Sequence, residues 1–143
     1  MRPAPVGEIT LPARPTAPAR ARAFVAATLG VWDLSDPVDS LLVIVSELTT
    51  NALLHARTPM TVRLEREDAS LLLSVTDSSP AVPRTRSYGV QSATGRGLRL
   101  VASLAAEWGV TQTAEGKTVW CRVPLEGGSS GFDGFDIDSV DAL

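Results

Sequence analysis

The chain has 143 residues, 44% of them hydrophobic, and this length and composition predict one compact domain with a buried core rather than two domains. Its formal net charge is −3, and the acidic excess lies in residues 126–143, so the remainder is near neutral and gives no support to a nucleic-acid-binding surface. The single cysteine and the single histidine argue against a disulfide framework and a structural zinc site, and the lack of an apolar run of membrane-spanning length predicts a soluble, cytoplasmic protein.

A strand and a helix are predicted at the start of the chain. The segment GEITLPA alternates weakly between apolar and polar residues and predicts an edge strand, since Pro12 cannot donate a ladder hydrogen bond. Thr16 is a suitable N-cap for a helix that tolerates Pro18 in its first turn. We expect that helix to run through ARARAFVAATLG and to stop at Gly30.

A second, longer helix is predicted to start at Ser35 and to end near Arg57. Asp36 and Pro37 suit its first turn, and apolar residues recur at helical spacing from Val38 onward. This otherwise apolar helix would contain one polar stretch.

That stretch, SELTTNALLHA, places Glu47, Asn51 and His55 four residues apart. Side chains at this spacing lie above one another on a helix and form a polar stripe beside an apolar one. Such a stripe is typical either of a solvated edge or of a functional site. We interpret His55 as a helix C-terminal or packed residue rather than a phosphoacceptor, because the sequence has no acidic residue next to it.

Two strands and a long loop are predicted next. MTVRLERED alternates cleanly and SLLLSVTD predicts a more buried strand, with Glu67 and Asp68 at the hairpin turn between them. From Ser78 to Gly95 the sequence is rich in Pro, Ser, Arg and Gly and shows no periodicity. A loop of that length in a compact domain is usually a functional lid or a disordered segment.

One more helix and a second hairpin complete the predicted domain. GRGLRLVASLAAEWG has apolar residues at helical spacing and should end at Gly109. VTQTAE and KTVWCRVPL predict two strands joined at Glu115 and Gly116. We therefore expect a single domain over residues 1–125, followed by a Gly/Ser linker and an acidic, disordered tail over residues 126–143.

This order of elements predicts an α+β fold with helices on one face of a mixed, mostly antiparallel sheet. Three of its side chains suit a nucleotide. Asp77 ends a buried strand, where a carboxylate can accept a hydrogen bond from the exocyclic amine of adenine, which guanine does not offer at that position. The oxygen of Asn51 suits Mg²⁺, and Glu47, one turn away, can orient or deprotonate an attacking hydroxyl.

Two glycine-containing segments add to this pattern. Gly95-Arg96-Gly97 opens a predicted helix, and the free N–H groups and positive dipole end of a helix N-terminus favour phosphates. Gly116-Lys117-Thr118 precedes the last strand. It does not fit a Walker motif, because Thr111 stands where that motif needs a glycine and because the segment enters a strand.

In these segments the chain resembles the GHKL ATPases, which share the Bergerat ATP-binding fold with histidine kinases and Hsp90. SELTTNALLHA is similar to the N-box, Asp77-Ser78-Ser79-Pro80 to a reduced first glycine box, GRGL to the second box, and GKTVW to the closing Gly-Thr segment. The resemblance runs from Glu8 to Pro124 and is strongest with the stand-alone anti-sigma-factor serine/threonine kinases (SpoIIAB/RsbW-like) in their actinobacterial form.

The resemblance implies a protein kinase that uses ATP and Mg²⁺. Glu47 would be the catalytic base or aligner, Asn51 would coordinate Mg²⁺ beside the triphosphate, and Asp77 would read adenine. The other nucleotide-binding residues implied are Gly95, Arg96, Gly97, Leu98 and Thr118. Thr118 would support Asp77 or a water at the base, and residues 78–94 would form the ATP lid.

The partners implied by the resemblance are proteins. In this family the phosphoryl acceptor is a serine or threonine of an antagonist with the STAS fold (an anti-anti-sigma protein), the same surface can hold a sigma factor inactive, and homodimers are usual. Neither nucleic acid nor membrane is implied as a direct partner.

The first glycine box departs from the family pattern Asp-x-Gly-x-Gly, because serines and a proline follow Asp77 in this chain. Without those glycines the lid hinge has less conformational freedom, and Pro80 removes a donor.

Two alternatives to a serine/threonine kinase stay open. The protein could be an ATP-binding or nucleotide-free module that sequesters a partner without turnover, or a detached sensor-kinase catalytic domain that phosphorylates histidine.

Overall fold

The computed structural model describes residues 5–79 and 104–125 of the chain. They form two helices and five strands: β1 (Val6–Leu11), α1 (Ala17–Val31), α2 (Val38–His55), β2 (Met60–Arg66), β3 (Ser70–Asp77), β4 (Glu107–Thr113) and β5 (Gly116–Pro124). The strands lie in the order β1-β2-β3-β5-β4, and all four neighbouring pairs are antiparallel. The predicted α+β class is confirmed, and the sheet of the described residues is wholly antiparallel rather than mixed.

One face of the sheet carries the buried strand residues, and both helices contribute to the same core. In β2 and β3 every second side chain is buried, as the alternating sequence predicts: Met60, Val62, Leu64, Leu71, Leu73 and Val75. The two helices pack against each other, and α1 contacts β1 while α2 contacts β3. Neither described helix is long and apolar enough to cross a bilayer.

Helix α1 begins after Thr16 with a proline in its first turn, as predicted, but continues one residue past Gly30. The residue in the left-handed conformation is Asp33, with a φ of 59°. The N–H groups of Asp33 and Leu34 donate to the carbonyls of Gly30 at 3.1 Å and Leu29 at 2.9 Å. This pair of hydrogen bonds is the Schellman motif, which satisfies the last carbonyls of a helix. The stop signal is therefore Asp33 and not Gly30.

Helix α2 confirms the long helix that the spacing of apolar residues predicts. Its polar stripe has no uniform environment: Asn51 is 1% exposed, Glu47 is half-buried, and His55 is exposed at the last turn. A solvated edge would leave all three side chains in water. The burial of Asn51 therefore favours a site over a solvated edge.

Both predicted hairpins form, but the predicted end of the third helix at Gly109 is wrong. In the β2–β3 turn the N–H of Glu67 donates to the carbonyl of Ser70 at 2.8 Å. Strand β4 already begins at Glu107, and Gly109 pairs with Trp120. An added Cβ at Gly109 would lie 2.8 Å from the indole of Trp120, so the strand needs a glycine there. Pairing with a distant strand overrides the local helical pattern.

Several predictions concern residues outside the described ranges. These are the lid beyond Ser79, the second glycine box from Gly95 to Leu98, most of the third helix, and the tail over residues 126–143. They stay predictions.

Candidate functional site

Three of the predicted site residues lie on two elements that pack together. Glu47 and Asn51 lie on α2, Asp77 ends β3, and α2 contacts β3. Asn51 and Asp77 are among the few buried polar residues of the described chain. Because a buried amide or carboxylate needs polar partners, both side chains mark a polar region inside an otherwise apolar interface.

Partial burial changes the acidity of Glu47. It is half-buried, and burial raises the pKa of its carboxyl above the ordinary value. The neighbouring hydroxyl of Ser46 accepts a hydrogen bond from Arg22 Nη1 at 3.1 Å and donates to the carbonyl of Leu42 at 2.8 Å. These contacts tie α1 to α2 beside Glu47. A carboxylate with a raised pKa accepts a proton more readily, as a general base must.

Asp77 forms a buried ion pair with Lys117. The two residues are cross-strand partners on β3 and β5, and Lys117 Nζ lies 2.9 Å from Asp77 Oδ2. Asp77 Oδ1 accepts a hydrogen bond from the N–H of Ser79, also at 2.9 Å. Lys117 alternates with the core residues Val119 and Cys121, which places the ion pair on the helix-covered face of the sheet. A hydrogen-bond acceptor and a donor therefore stand side by side at one end of β3 and β5.

Gly116 allows β5 to approach the end of β3 closely. Its φ is 156°, and a Cβ at this position would lie 2.0 Å from the carbonyl oxygen of Asp77. No side chain fits into that distance, so glycine is required. The close approach fixes the position of Lys117 relative to Asp77.

Thr118, which the resemblance implies as a support for Asp77, lies on the other face of the sheet. Its hydroxyl is 2.8 Å from that of Thr76, in a row of five cross-strand threonines. The members of the row, in strand order, are Thr10, Thr61, Thr76, Thr118 and Thr111. Thr10 and Thr61 are also in hydrogen-bond contact, at 3.0 Å. The structure therefore brings Asp77 together with Lys117 rather than with Thr118.

Lys117 is not among the site residues predicted from the sequence, although the sequence contains a signal for it. In KTVWCRVPL the apolar residues Val119, Cys121 and Val123 alternate, and the same period of two places Lys117 on their face and Thr118 on the opposite face. A charged residue in phase with core positions indicates a buried ion pair.

The described side chains include the kinds of polar group that would hold a nucleotide with Mg²⁺. Within residues 5–79 and 104–125, no three His, Cys, Asp or Glu side chains come together as a group that could hold a metal ion. Mg²⁺ usually keeps several waters and shares phosphate oxygens, so one protein oxygen such as that of Asn51 can be enough.

Comparison with known proteins identifies the family. The histidine kinase-like ATPase domain matches residues 11–123. A solved structure similar to this chain is the histidine kinase domain of a blue-light activated histidine kinase from Erythrobacter litoralis, at 22% sequence identity and a TM-score of 0.49. That similarity covers 81% of this chain and 66% of the other, so the chain spans just under two thirds of the structure that it matches. No curated protein matches the chain.

The family match covers well over half of the sequence and includes Glu47, Asn51, Asp77 and Lys117. The described residues form an α+β fold of two helices and five antiparallel strands. The chain therefore belongs to the histidine kinase-like (GHKL) ATPase domain family.

Proposed function

We propose that the protein is an ATP-binding regulator that uses Mg²⁺ and ATP to phosphorylate a serine or threonine of a STAS-fold antagonist. When it does not phosphorylate the antagonist, the same surface binds a sigma factor and keeps it inactive. The observation that carries ATP binding is the buried carboxylate of Asp77 at the end of β3, on the sheet face covered by α2. Family membership supports a nucleotide as the ligand of this carboxylate.

In this proposal two residues of α2 act on the phosphate side. Glu47 orients the acceptor hydroxyl and takes its proton, for which its raised pKa is suited. Asn51 directs its amide oxygen to the metal. Bound ATP supplies the phosphoryl group, and Mg²⁺ supplies the charge that stabilises its transfer. Gly95, Arg96, Gly97 and Leu98 are proposed to approach the phosphates.

The first test is a calorimetric titration with ATP, with and without Mg²⁺. We expect saturable binding that Mg²⁺ strengthens and that Asp77→Asn weakens, because an amide is a poorer acceptor and leaves Lys117 without a charged partner. Thr118→Val is the matched control, since Thr118 lies in the same strand as Lys117 but on the other face. No binding at millimolar ATP, or equal losses in both variants, would contradict a base-reading role for Asp77.

The second test separates binding from catalysis. With a STAS-fold protein as acceptor, Glu47→Gln should abolish phosphoryl transfer while ATP affinity stays within a few-fold of the parent. With labelled ATP, the label transferred to the acceptor should be acid-stable, as phosphoserine or phosphothreonine is. Acid-labile label would identify phosphohistidine and would favour the detached sensor-kinase alternative.

A second candidate function is a partner-binding module without turnover. It is favoured by the segment Asp77-Ser78-Ser79-Pro80, which lacks the family glycines, and by the hydrogen bond from the N–H of Ser79 to Asp77. This alternative predicts partner binding without transfer of label from ATP to the partner. The kinase proposal predicts that label from ATP is transferred.

A further inference from the structure

We propose that Thr58 is a positioning residue of the candidate site, and that its hydroxyl holds residues 77–79 in one fixed conformation where the family pattern has a glycine hinge. This inference rests on the proposed function, because it specifies how the segment that begins at Asp77 is held for nucleotide binding. Thr58 lies outside the four motifs that resemble the family.

The first argument is the position of Thr58 at the end of the β2–β3 ladder. At the turn of this hairpin the N–H of Glu67 donates to the carbonyl of Ser70 at 2.8 Å. Hydrogen-bonded pairs recur at every second residue of an antiparallel ladder, so the register makes Pro59 and Ser78 such a pair, just past the end of β3. Pro59 has no N–H to donate, so an ordinary hydrogen-bonded pair cannot form there.

The hydroxyl of Thr58 is inserted at that point. The N–H of Ser78 donates to Thr58 Oγ1 at 3.0 Å, and the same hydroxyl donates to the carbonyl of Pro59 at 3.2 Å. A hydroxyl can accept and donate at once, so it bridges two backbone groups that would otherwise meet directly. The ladder therefore ends in a side-chain bridge that holds the first residue after β3.

Two further contacts restrain the same segment. A Cβ added at Gly116 would lie 3.0 Å from the Cα of Ser78, so the backbone of β5 packs closely against this residue. The N–H of Ser79 donates to Asp77 Oδ1 at 2.9 Å, which closes a turn over the end of the strand. Residues 77–79 are therefore held from the side of β2, from β5 and by their own turn.

The backbone of Ser79 does not need a glycine, although the family pattern has its first glycine at this position. Among the non-glycine residues that the structure describes, only Asp33 and Arg57 have a positive φ. Ser79 consequently takes a conformation that serine adopts without strain, and a glycine there would add only freedom to move. The structure thus favours a fixed turn over a hinge at the end of β3.

Thr58 also connects this turn to α2, which carries two of the candidate site residues. At the end of α2 the N–H groups of Ala56 and Arg57 both donate to the carbonyl of Ala52, at 2.9 and 3.2 Å. Arg57 has a φ of 56°, a left-handed conformation that turns the chain out of the helix. Thr58 follows directly, so the end of α2 sets its position. Its hydroxyl therefore relates α2 to the end of β3.

Amide hydrogen exchange tests the bridge without any ligand. In Thr58→Val the Ser78 amide should exchange about 3- to 10-fold faster, relative to that of Val62 in β2, as expected for the loss of one neutral hydrogen bond. Thr58→Ser keeps the hydroxyl and should restore the parent rate. Thr61→Val is the matched control, because it removes a hydroxyl contact of 3.0 Å with Thr10 instead. An unchanged Ser78 rate in Thr58→Val would overturn the inference.

Calorimetry with ATP and Mg²⁺ on the full chain tests the role of the bridge in the site. Thr58→Val should weaken ATP binding about 2- to 10-fold, because binding must then also order the released segment, and Thr58→Ser should restore the affinity. Ser79→Gly should not strengthen binding, since the turn already has its bound conformation.

The outcomes separate this inference from the proposed function. If the parent binds ATP but Thr58→Val binds it equally well, or if Ser79→Gly binds it more tightly, the inference fails alone. If the parent does not bind ATP, the proposed function fails and the positioning role fails with it. A thermal melt of each variant shows whether it is folded, and rescue by Thr58→Ser distinguishes the hydroxyl from the packing of the side chain.

Discussion

Lys117 and Cys121 lie on the same face of β5, and burial changes what each side chain can do. Lys117 contacts the carboxylate of Asp77, whereas Cys121 is buried among apolar residues. Burial raises the pKa of the Cys121 thiol to about 12. A thiol is reactive only as the thiolate, so Cys121 is a packing residue and not a nucleophile.

The reactivity of Cys121 can be measured directly. At pH 8 a pKa of about 12 leaves on the order of 10³-fold less thiolate than an ordinary cysteine has. We expect a thiol reagent such as DTNB to react slowly with the native protein and at the rate of a free thiol in denaturant. Fast reaction of the folded protein would contradict the buried position of Cys121.

A second prediction at this scale concerns Gly116. Gly116→Ala places a Cβ 2.0 Å from the carbonyl oxygen of Asp77, so the strands must move apart. We expect the free energy of unfolding to fall by about 2 kcal/mol or more, from strain and overpacking together. Chemical denaturation measures this loss. An unchanged midpoint would show that β5 is not held so close to β3.

At the scale of single elements, a substitution near the end of α1 is expected to stabilise the protein. Gly30 lies within the helix, and an added Cβ there meets no atom within 4 Å. Gly30→Ala should therefore raise the free energy of unfolding by about 0.5–1 kcal/mol, because alanine loses less backbone entropy on folding. Gly109→Ala is the matched control and should destabilise, since its Cβ would collide with Trp120. A loss of stability in Gly30→Ala would mean that Gly30 needs a glycine conformation after all.

Elements with a long periodic pattern could be predicted from the sequence, and those set by distant contacts could not. Helix α2 and strands β2 and β3 follow from the spacing of their apolar residues alone. The start of β4 depends on pairing with β5, which a local pattern does not contain. In the same way, the left-handed Asp33 takes a role that sequence preference assigns to glycine.

The candidate site could likewise be predicted from the sequence only in part. Glu47, Asn51 and Asp77 could be predicted because they belong to short motifs on single elements. The partnership of Asp77 with Lys117 depends on the register of β3 against β5, which places Lys117 opposite Asp77 and Thr118 opposite Thr76. A shift of one residue would exchange the two side chains. Register is a property of the folded sheet, so only the structure assigns Lys117 to Asp77.

For the molecule as a whole, one side-chain cluster links three strands on the face of the sheet opposite α1 and α2. Arg122 of β5 donates from Nε to Glu67 Oε1 at 2.7 Å, and its Nη1 contacts Glu107 of β4. Glu67 lies at the β2–β3 turn and also accepts a hydrogen bond from the hydroxyl of Ser70 at 2.8 Å. The guanidinium stands 5.5 Å from the ring centre of Trp120. The cluster ties the β2–β3 hairpin to the β4–β5 hairpin.

This cluster predicts how stability depends on pH. Hydrogen bonds from Arg122 and then Ser70 lower the pKa of Glu67 below its ordinary value. A carboxyl whose pKa is lower in the folded state stabilises the fold above its unfolded pKa, and that contribution is lost as the pH falls through the folded pKa. Glu67→Gln should therefore melt about 2–5 °C below the parent at pH 7, as expected for a half-exposed ion pair in a small domain.

The difference in melting temperature between Glu67→Gln and the parent should shrink as the pH falls below about 4.5 and through the lowered pKa of folded Glu67, because protonated Glu67 no longer differs in charge from glutamine. Glu115→Gln is the control, since Glu115 is exposed in the β4–β5 turn and its substitution should leave the curve of melting temperature against pH close to that of the parent. Equal differences at pH 7 and pH 3 would mean that Glu67 acts through packing and not through its charge. If the difference closes as expected, the ion pairs of Arg122 add to the β3–β5 ladder that joins the two hairpins at neutral pH, and this added stabilisation is lost in acid.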